Sequence, residues 1–323
     1  MSAISDPNRA EFKSPQSIAR EGAIFNINGG SIFTGNGALM RFIVWPGSGC
    51  RMIGGHLCIH EPGVTFRPHI HPLSEDCICT LSGYGEGFLV DKYVDVGPGD
   101  MIYAPAGVVH GTANARGHTS DYIVTGYAGP PQFELYEWAG YFKHGEFDWG
   151  AIKEGASVPG RRNLQIGDDI QLGEVPGWGE ERAETKTAEQ IRETGAIFNI
   201  NGGLACTTFG PMTRFVVAPF TGAQLISATV TVHQPGETFQ PHSHLISHDA
   251  NLVLKGKGEV FLGGRWSDVK AGDIVYAPPL VQHATRNPIT NDGPFVVVSF
   301  ACPPPFELYE LAGILKGGRF VGL

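Results

Sequence analysis

The stretch GVTFRPHIHPLSEDCICTLSG, residues 63–83, places two histidines and two acids close together in the chain. His69 and His71 are two residues apart, and alternate side chains of an extended strand lie on the same face. The two imidazoles are therefore expected to point the same way, close enough to bind one metal ion. Glu75 or Asp76 follows after a short turn and is placed to add a carboxylate oxygen.

A second stretch, GDMIYAPAGVVHGTAN at residues 99–114, supplies a third histidine. His110 follows a Pro-Ala-Gly turn and is distant in sequence from the first pair. Three imidazoles with one carboxylate make a nitrogen and oxygen ligand set, which suits Fe, Mn, Ni, Cu or Zn better than Ca or Mg. We therefore expect a divalent transition metal to bind here.

Together the two stretches resemble the paired motifs of the cupin superfamily, and the His-Ile-His-Pro run is similar to the germin branch. The residues that match the first motif are Gly63, His69, His71, Asp76 and Gly83. Those that match the second motif are Gly99, Pro105, Gly107, His110 and Asn114. The resemblance implies a metal bound by His69, His71, His110 and an acid. The family's usual acid is Glu, whereas the spacing to Gly83 falls on Asp76.

The acid position leaves two alternatives open. With Asp76 as the ligand, Glu75 points to the other face of its strand unless a bulge intervenes. With the register shifted by one residue, Glu75 becomes the ligand, and the residue at its place in the second half is His248. We favour Asp76 as the ligand and keep Glu75 as a candidate catalytic residue.

An internal repeat predicts the architecture, because GAIFNINGG at residues 22–30 recurs at residues 195–203. The same offset of 173 residues, without a gap, carries the first set of potential ligands to His242, His244, Asp249 and His283. The chain is therefore predicted to be a bicupin. Its fold class is all-β, with two tandem cupin barrels (double-stranded β-helix or jelly-roll) and short flanking helices. The predicted divisions are an N-terminal cupin domain at 1–149, a linker at 150–184 and a C-terminal cupin domain at 185–323.

Short β-rich runs alternate with Gly and Pro turns inside each copy, as in an antiparallel sandwich or small barrel. Helices are predicted before each copy, at 14–21 and 186–194. Each copy also ends in a Phe-Glu-Leu-Tyr-Glu segment, and the first of these, at 133–140, is predicted to form a short helix over the barrel.

Two differences predict that the halves are unequal and that the chemistry lies in the first. Strict alternation aims Arg67 into the same cavity as His69, where a guanidinium would hold a substrate carboxylate bidentately. An equally supported alternative is that Arg67 lies on the surface and forms an ion pair. The second half has Gln240 in its place, and its Pro-x-Gly turn has become Pro-Pro-Leu before His283. Arg67 is therefore a candidate catalytic residue.

Similarity to germin-type and quercetinase-type cupins implies a metal-dependent enzyme acting on a small, anionic organic substrate. The leading expectation is a dioxygenase that uses O2 and one or two ions per chain, with Fe(II) or Mn(II) favoured over Cu, Ni or Zn. A non-redox decarboxylase, isomerase, lyase or hydrolase is the first alternative. A non-catalytic storage or ligand-binding cupin is the second.

Composition limits the partners. The formal net charge of −9 leaves no excess of Lys and Arg to neutralise phosphates, so a nucleic-acid partner is not expected. No apolar run approaches the roughly 18 residues of a membrane span, and the first 30 residues lack the apolar core of a signal peptide. The six cysteines lie in apolar, strand-like runs and are expected to be reduced thiols. These features predict a cytoplasmic protein, and a homo-oligomer remains open.

Overall fold

The structure is a computed structural model, and it describes residues 6–35, 37–160, 162–175 and 179–322. Strands make up most of its regular elements. The first half contains β1 Ala23–Asn26, β2 Ser31–Gly35, β3 Ala38–Val44, β4 Gly54–His60, β5 Thr65–His69, β6 Glu75–Ser82, β7 Gly85–Leu89, β8 Lys92–Val96, β9 Asp100–Ala104, β10 His110–Ala113, β11 Tyr122–Gly129, β12 Phe142–Lys143 and β13 Glu146–Phe147.

The second half repeats this order. It contains β14 Ala196–Asn199, β15 Leu204–Cys206, β16 Met212–Val217, β17 Ser227–His233, β18 Thr238–His242, β19 His248–Lys255, β20 Lys257–Leu262, β21 Arg265–Lys270, β22 Asp273–Ala277, β23 His283–Arg286, β24 Phe295–Cys302, β25 Leu315–Lys316 and β26 Arg319–Phe320. The helices are α1 Pro15–Glu21, α2 Phe133–Trp138, α3 Trp149–Ser157, α4 Ala188–Thr194 and α5 Phe306–Leu311.

Each half forms a barrel from a seven-stranded and a four-stranded antiparallel sheet. In the first barrel the orders are β14-β9-β6-β11-β4-β3-β2 and β5-β10-β7-β8. In the second they are β1-β22-β19-β24-β17-β16-β15 and β18-β23-β20-β21. The central strands are buried along their length, as the apolar run FVVVSFAC in β24 requires. The predicted all-β fold of two barrels with short helices is confirmed.

The two barrels exchange one strand each. Strand β1 leaves the first half and pairs with β22 of the second, and β14 of the second half pairs with β9 of the first. These exchanged strands are the repeated AIFN segment. Gly22 has φ +73°, and a Cβ there would lie 2.3 Å from the carbonyl oxygen of Tyr276, so the incoming strand can enter its groove only with glycine at this position.

A buried aspartate holds each exchanged segment in place. Asp273 accepts hydrogen bonds from Arg9 and from Asn26 Nδ2, both of which belong to the incoming first-half segment. In the mirror arrangement, Asp100 accepts hydrogen bonds from both guanidinium NH groups of Arg182 and from Asn199 Nδ2. The chain boundaries predicted at 149 and 185 remain a prediction, since each barrel includes a strand from the other half.

The apolar core also crosses from one half to the other. The rings of Tyr127 and Phe300 stack with their centroids 4.1 Å apart and their planes 12° apart. Both rings lie in the largest cluster of buried apolar side chains, which draws residues from both halves. The halves therefore share this cluster, while further apolar clusters lie largely within each barrel.

The connector begins with a helix that the sequence analysis did not predict. Helix α3 forms there because the side chain of Asp148 accepts a hydrogen bond from the backbone N–H of Ala151, as an N-cap does. The predicted helices before the two copies are present as α1 and α4, and the one at 133–140 is present as α2. All six cysteines are free thiols. Among the described residues, no helix combines the length and apolar character that crossing a membrane requires.

Replacing Arg182 with Ala would leave the carboxylate of Asp100 buried without its cation. We expect the free energy of unfolding to fall by roughly 3 kcal/mol, because an uncompensated buried charge is costly. The matched control is Arg20→Ala, which removes an exposed ion pair with Glu21 and should cost about 0.5 kcal/mol or less. Chemical denaturation measures both. Equal, small losses would contradict the anchoring role of Asp100.

Candidate metal centre

Three histidines of the first barrel meet at one point. One ring nitrogen from each of His69, His71 and His110 lies within 4.8 Å of the other two. The Nε2 atoms of His69 and His71 are 3.0 Å apart. Asp76 joins them, with its Oδ2 3.4 Å from His110 Nε2 and 3.9 Å from His71 Nε2. The structure thus brings the four residues of the predicted ligand set together.

A bulge in β5 aims these side chains. In the pairing of β5 with β10, Phe66 lies opposite Thr112 and His69 lies opposite His110. The chain advances three residues along β5 but only two along β10, so β5 contains one extra residue. Phe66 and His69 consequently lie on the same side, with ring centroids 5.1 Å apart. Arg67, inside the bulge, is exposed and does not line the cluster. The expected orientation toward the cluster is therefore not found, and the contact of Arg67 with a substrate stays a prediction.

Each imidazole is oriented by a hydrogen bond on its outer nitrogen. His69 Nδ1 and His110 Nδ1 donate to the backbone carbonyls of Arg67 and Val108, at 3.0 and 2.9 Å. His71 Nδ1 bonds Glu134 Oε1 at 2.5 Å. In a neutral imidazole whose Nδ1 carries the proton, Nε2 carries a lone pair. Three neutral imidazoles would therefore turn their lone pairs toward one another, an arrangement that repels itself unless a cation lies between them.

The protonation states agree with this. Burial, reinforced by the neighbouring imidazoles, lowers the pKa of His69 to about 3, so the ring is neutral at neutral pH. Burial alone would raise the pKa of Asp76, but the imidazoles of His110, His56 and His71 outweigh burial and hold that pKa below its ordinary value. Asp76 Oδ1 and His110 Nε2 are buried without a hydrogen-bond partner. The donor set fits a divalent transition metal.

The second barrel repeats the arrangement with His242, His244 and His283. Asp249 Oδ2 lies 3.2 Å from the Nε2 atoms of both His244 and His283. Glu307 Oε1 lies 2.9 Å from His244 Nδ1, as Glu134 does from His71. Burial lowers the pKa of His244, but Asp249 and Glu307 together raise it to about 9. A metal ion that binds here would displace a proton.

The turn before the distal histidine is the same in both barrels despite its different sequence. In the first barrel Gly107 N donates to the carbonyl of His71, at 2.8 Å. In the second, Leu280 N donates to the carbonyl of His244 at the same distance, with a left-handed φ of 66°. The expected alteration of the approach to His283 is therefore not found. Neither this turn nor Arg67 supports placing the chemistry in the first half.

Glu75 lies on the opposite face of β6 from Asp76. Its carboxylate accepts hydrogen bonds from the backbone N–H groups of Gln224, Leu225 and Ile226, at 2.8 to 3.1 Å. His248, at the equivalent place in the second half, bonds the hydroxyl of Tyr276 instead. The structure therefore places Glu75 at the contact between the halves, and its catalytic role stays a prediction.

Two residues around Asp76 were missed by the motif comparison. Gln132 Nε2 donates to Asp76 Oδ2 at 2.7 Å. His56 is buried on β4, and the charge of Asp76 opposes the burial that lowers the pKa of His56 to about 4. Their counterparts at the repeat offset are Pro305 and Thr229. A comparison of the two copies outside the motifs would have singled out both positions.

The second barrel has a small chamber beside its cluster, with a volume of about 40 Å³ and both apolar and polar side chains in its lining. Ser299 Oγ donates a hydrogen bond to Asn251 Oδ1 in its wall. The polar side chains that line it include Thr213, Ser227, Thr229, Thr231, Asn251, Ser299, His242, Asp249 and His283, and no Lys or Arg is among the described lining residues.

Asp76→Asn should weaken metal binding to the first barrel by roughly tenfold or more, because an amide oxygen lacks the charge of the carboxylate. Glu75→Gln should leave the metal content unchanged and lower the free energy of unfolding by about 2 kcal/mol, because its amide cannot accept all the hydrogen bonds. Elemental analysis and denaturation separate the two effects. The reverse order would mean that Glu75 is the ligand.

Glu134→Gln should lower metal affinity in the first barrel by about 10- to 100-fold, because the carboxylate fixes the tautomer and direction of the His71 ring. Glu137→Gln, on the exposed side of the same helix, is the control and should have no effect. Competition with a chelator measures both affinities. An unchanged affinity in Glu134→Gln would show that His71 needs no such support.

Comparison with known proteins gives the fold independently. The family model described as Cupin domain matches residues 56–124 and 229–300. The protein Ylba from E. coli is similar in structure, with a TM-score of 0.58 and 12% identity over 87% of this chain and 90% of that one. The oxalate decarboxylase of Lactobacillus farciminis gives a TM-score of 0.57 and 19% identity over 87% and 86% of the two chains.

The oxalate decarboxylase of Bacillus subtilis, described with Mn(II) centres, gives a TM-score of 0.54 and 16% identity over 87% of this chain and 77% of that one. At these identities the likeness establishes the fold alone. No curated protein sequence matches the chain significantly.

Proposed function

Because the chain is a bicupin with a potential metal centre in each barrel, we propose that it is a metal-dependent enzyme acting on a small, oxygen-rich organic molecule. The proposed substrate class is short carboxylates, and the proposed reaction is a non-redox bond cleavage such as decarboxylation. The proposed ligands are His69, His71, Asp76 and His110 in the first barrel and His242, His244, Asp249 and His283 in the second. Mn(II) or Fe(II) is the favoured ion, since manganese centres are named for the B. subtilis oxalate decarboxylase.

The small chamber of the second barrel supports this proposal. Its volume of about 40 Å³ suits a molecule with few non-hydrogen atoms, and its hydroxyl and amide lining suits oxygen atoms that accept or donate hydrogen bonds. This small volume favours such a molecule over a large aromatic substrate such as quercetinase-type cupins oxidise. The likeness to oxalate decarboxylases supports the same substrate class.

Side chains of the chamber would bind and orient the substrate. Asn251, held by Ser299, has an amide group that faces the space beside Asp249, and Thr229 adds a hydroxyl in the same wall. The apolar β-strands behind these groups exclude water from the reacting bond. A bound divalent ion would act as a Lewis acid that polarises a substrate oxygen. Since no described lysine or arginine lines the chamber, that ion is also the positive charge that a carboxylate would meet.

The oxygenase reaction, implied by the resemblance to germin- and quercetinase-type cupins, remains a prediction that the chamber does not favour. The two reaction classes differ in their use of O2. A dioxygenase consumes one O2 per turnover, whereas a decarboxylation releases CO2 without net consumption of O2.

Protein loaded with Mn(II) or Fe(II) should release CO2 from oxalate or another carboxylate of two to four carbons, with formate as the second product from oxalate. An oxygen electrode should record no consumption of O2 during this turnover. His244→Ala should abolish turnover through loss of the second-barrel ion. The control is Glu310→Gln, an exposed change on α5. Turnover that consumes O2 stoichiometrically would replace this proposal with the oxygenase.

A further inference from the structure

The inner walls of the two barrels differ at one cross-strand pair beside the metal cluster. In the first barrel His56 on β4 stands opposite Gly126 on β11. In the second barrel the same positions hold Thr229 on β17 and Ser299 on β24. One pair therefore combines a large side chain with none, and the other combines two small hydroxyl side chains.

The ring of His56 occupies the space in front of Gly126. A Cβ added at Gly126 would lie 2.6 Å from His56 Cε1, 2.7 Å from His56 Nε2 and 3.4 Å from Asp76 Oδ1. The imidazole thus lies beside the free oxygen of the proposed ligand. It is 7% exposed, packs edge-on against Phe42 and forms no hydrogen bond through its ring to another described residue.

Three further positions of the wall change in the same direction, whereas Ser227 and Pro305 correspond to Gly54 and Gln132 and do not. At the repeat offset, Thr213, Thr231 and Asn251 of the second barrel correspond to Met40, Cys58 and Ile78 of the first. All six side chains are buried. At these three positions the first barrel presents apolar groups where the second presents hydroxyls and an amide.

We propose that the His56–Gly126 pair closes the first chamber to substrate, while the Thr229–Ser299 pair keeps the second open and selects small polar molecules. The first centre is then a structural metal site, with its remaining space filled by protein, whereas the second keeps room for a ligand next to the ion. Thr229, Ser299 and Asn251 are the specificity-determining residues. This inference rests on the proposed function and extends it to the role of each barrel.

Exchanging the pairs tests the proposal. The Thr229→His/Ser299→Gly variant carries the first-barrel pair into the second barrel and leaves every proposed ligand in place. Loaded with Mn(II) and titrated with oxalate in a calorimeter, the unaltered protein should bind one oxalate per chain. The variant should keep the two ions per chain and bind oxalate at least tenfold more weakly, with turnover reduced to match. Binding and turnover equal to those of the unaltered protein would overturn the proposal.

The reciprocal variant, His56→Thr/Gly126→Ser, should gain a second oxalate site per chain. A stoichiometry that stays at one would show that the pair does not close the first chamber. Metal content and the midpoint of thermal unfolding are the controls for both exchanges.

A measurement without metal or substrate tests where the imidazole lies. Gly126→Ser alone should lower the midpoint of thermal unfolding of the metal-free protein, because the new Cβ meets the His56 ring. His56→Thr in the same chain should restore most of that loss. Additive effects of the two changes would overturn the space-filling role of His56. If the unaltered protein binds and converts no short carboxylate, the proposed function fails, and this coupling still decides whether His56 fills the chamber.

Discussion

The buried carboxylates of Asp100 and Asp273 are the contacts on which the two-barrel arrangement depends. Each accepts hydrogen bonds from an arginine and an asparagine that arrive from the other half of the chain. Each also begins the strand, β9 or β22, that leads to the proline turn before the distal histidine. The position of His110 or His283 is therefore linked to a segment that its own half does not supply, and neither barrel is complete by itself.

The turn itself ties the ligands to each other. The backbone N–H two residues after the first proline of the turn, that of Gly107 or Leu280, donates to the carbonyl of the second histidine of the His-x-His pair. In the first barrel the loops that carry His71 and His110 therefore share a hydrogen bond. Backbone carbonyls and a helix-borne glutamate then fix the direction of each imidazole. The lone pairs converge because the main chain orients the rings, and this explains why two copies with different pocket linings keep the same cluster.

The fold and the four residues of each cluster were predictable from the sequence, because the spacing of histidines, acid and glycines, repeated at a constant offset, constrains the backbone strongly. The exchange of β1 and β14 was not, since a short apolar strand such as AIFN fits the edge of either sheet. The exposure of Arg67 was also missed. Side chains stop alternating between the two faces of a strand inside a bulge, and Pro68 alone does not show which residues the bulge includes. For Leu280, the sequence suggested a changed turn, but hydrogen bonding to His244 holds the backbone in a conformation that leucine rarely adopts.

The strand exchange has a further consequence for how the halves came to differ. Two separate single-barrel chains that swapped this strand would form a symmetric dimer, in which any change to the chamber wall appears twice. When both barrels belong to one polypeptide, the swapped strand still closes the pair, but each wall is encoded separately. The shared AIFN segment stays identical because it must fit two equivalent grooves. The wall pairs His56–Gly126 and Thr229–Ser299 are not under that constraint, so the two barrels of one molecule can differ in what they bind.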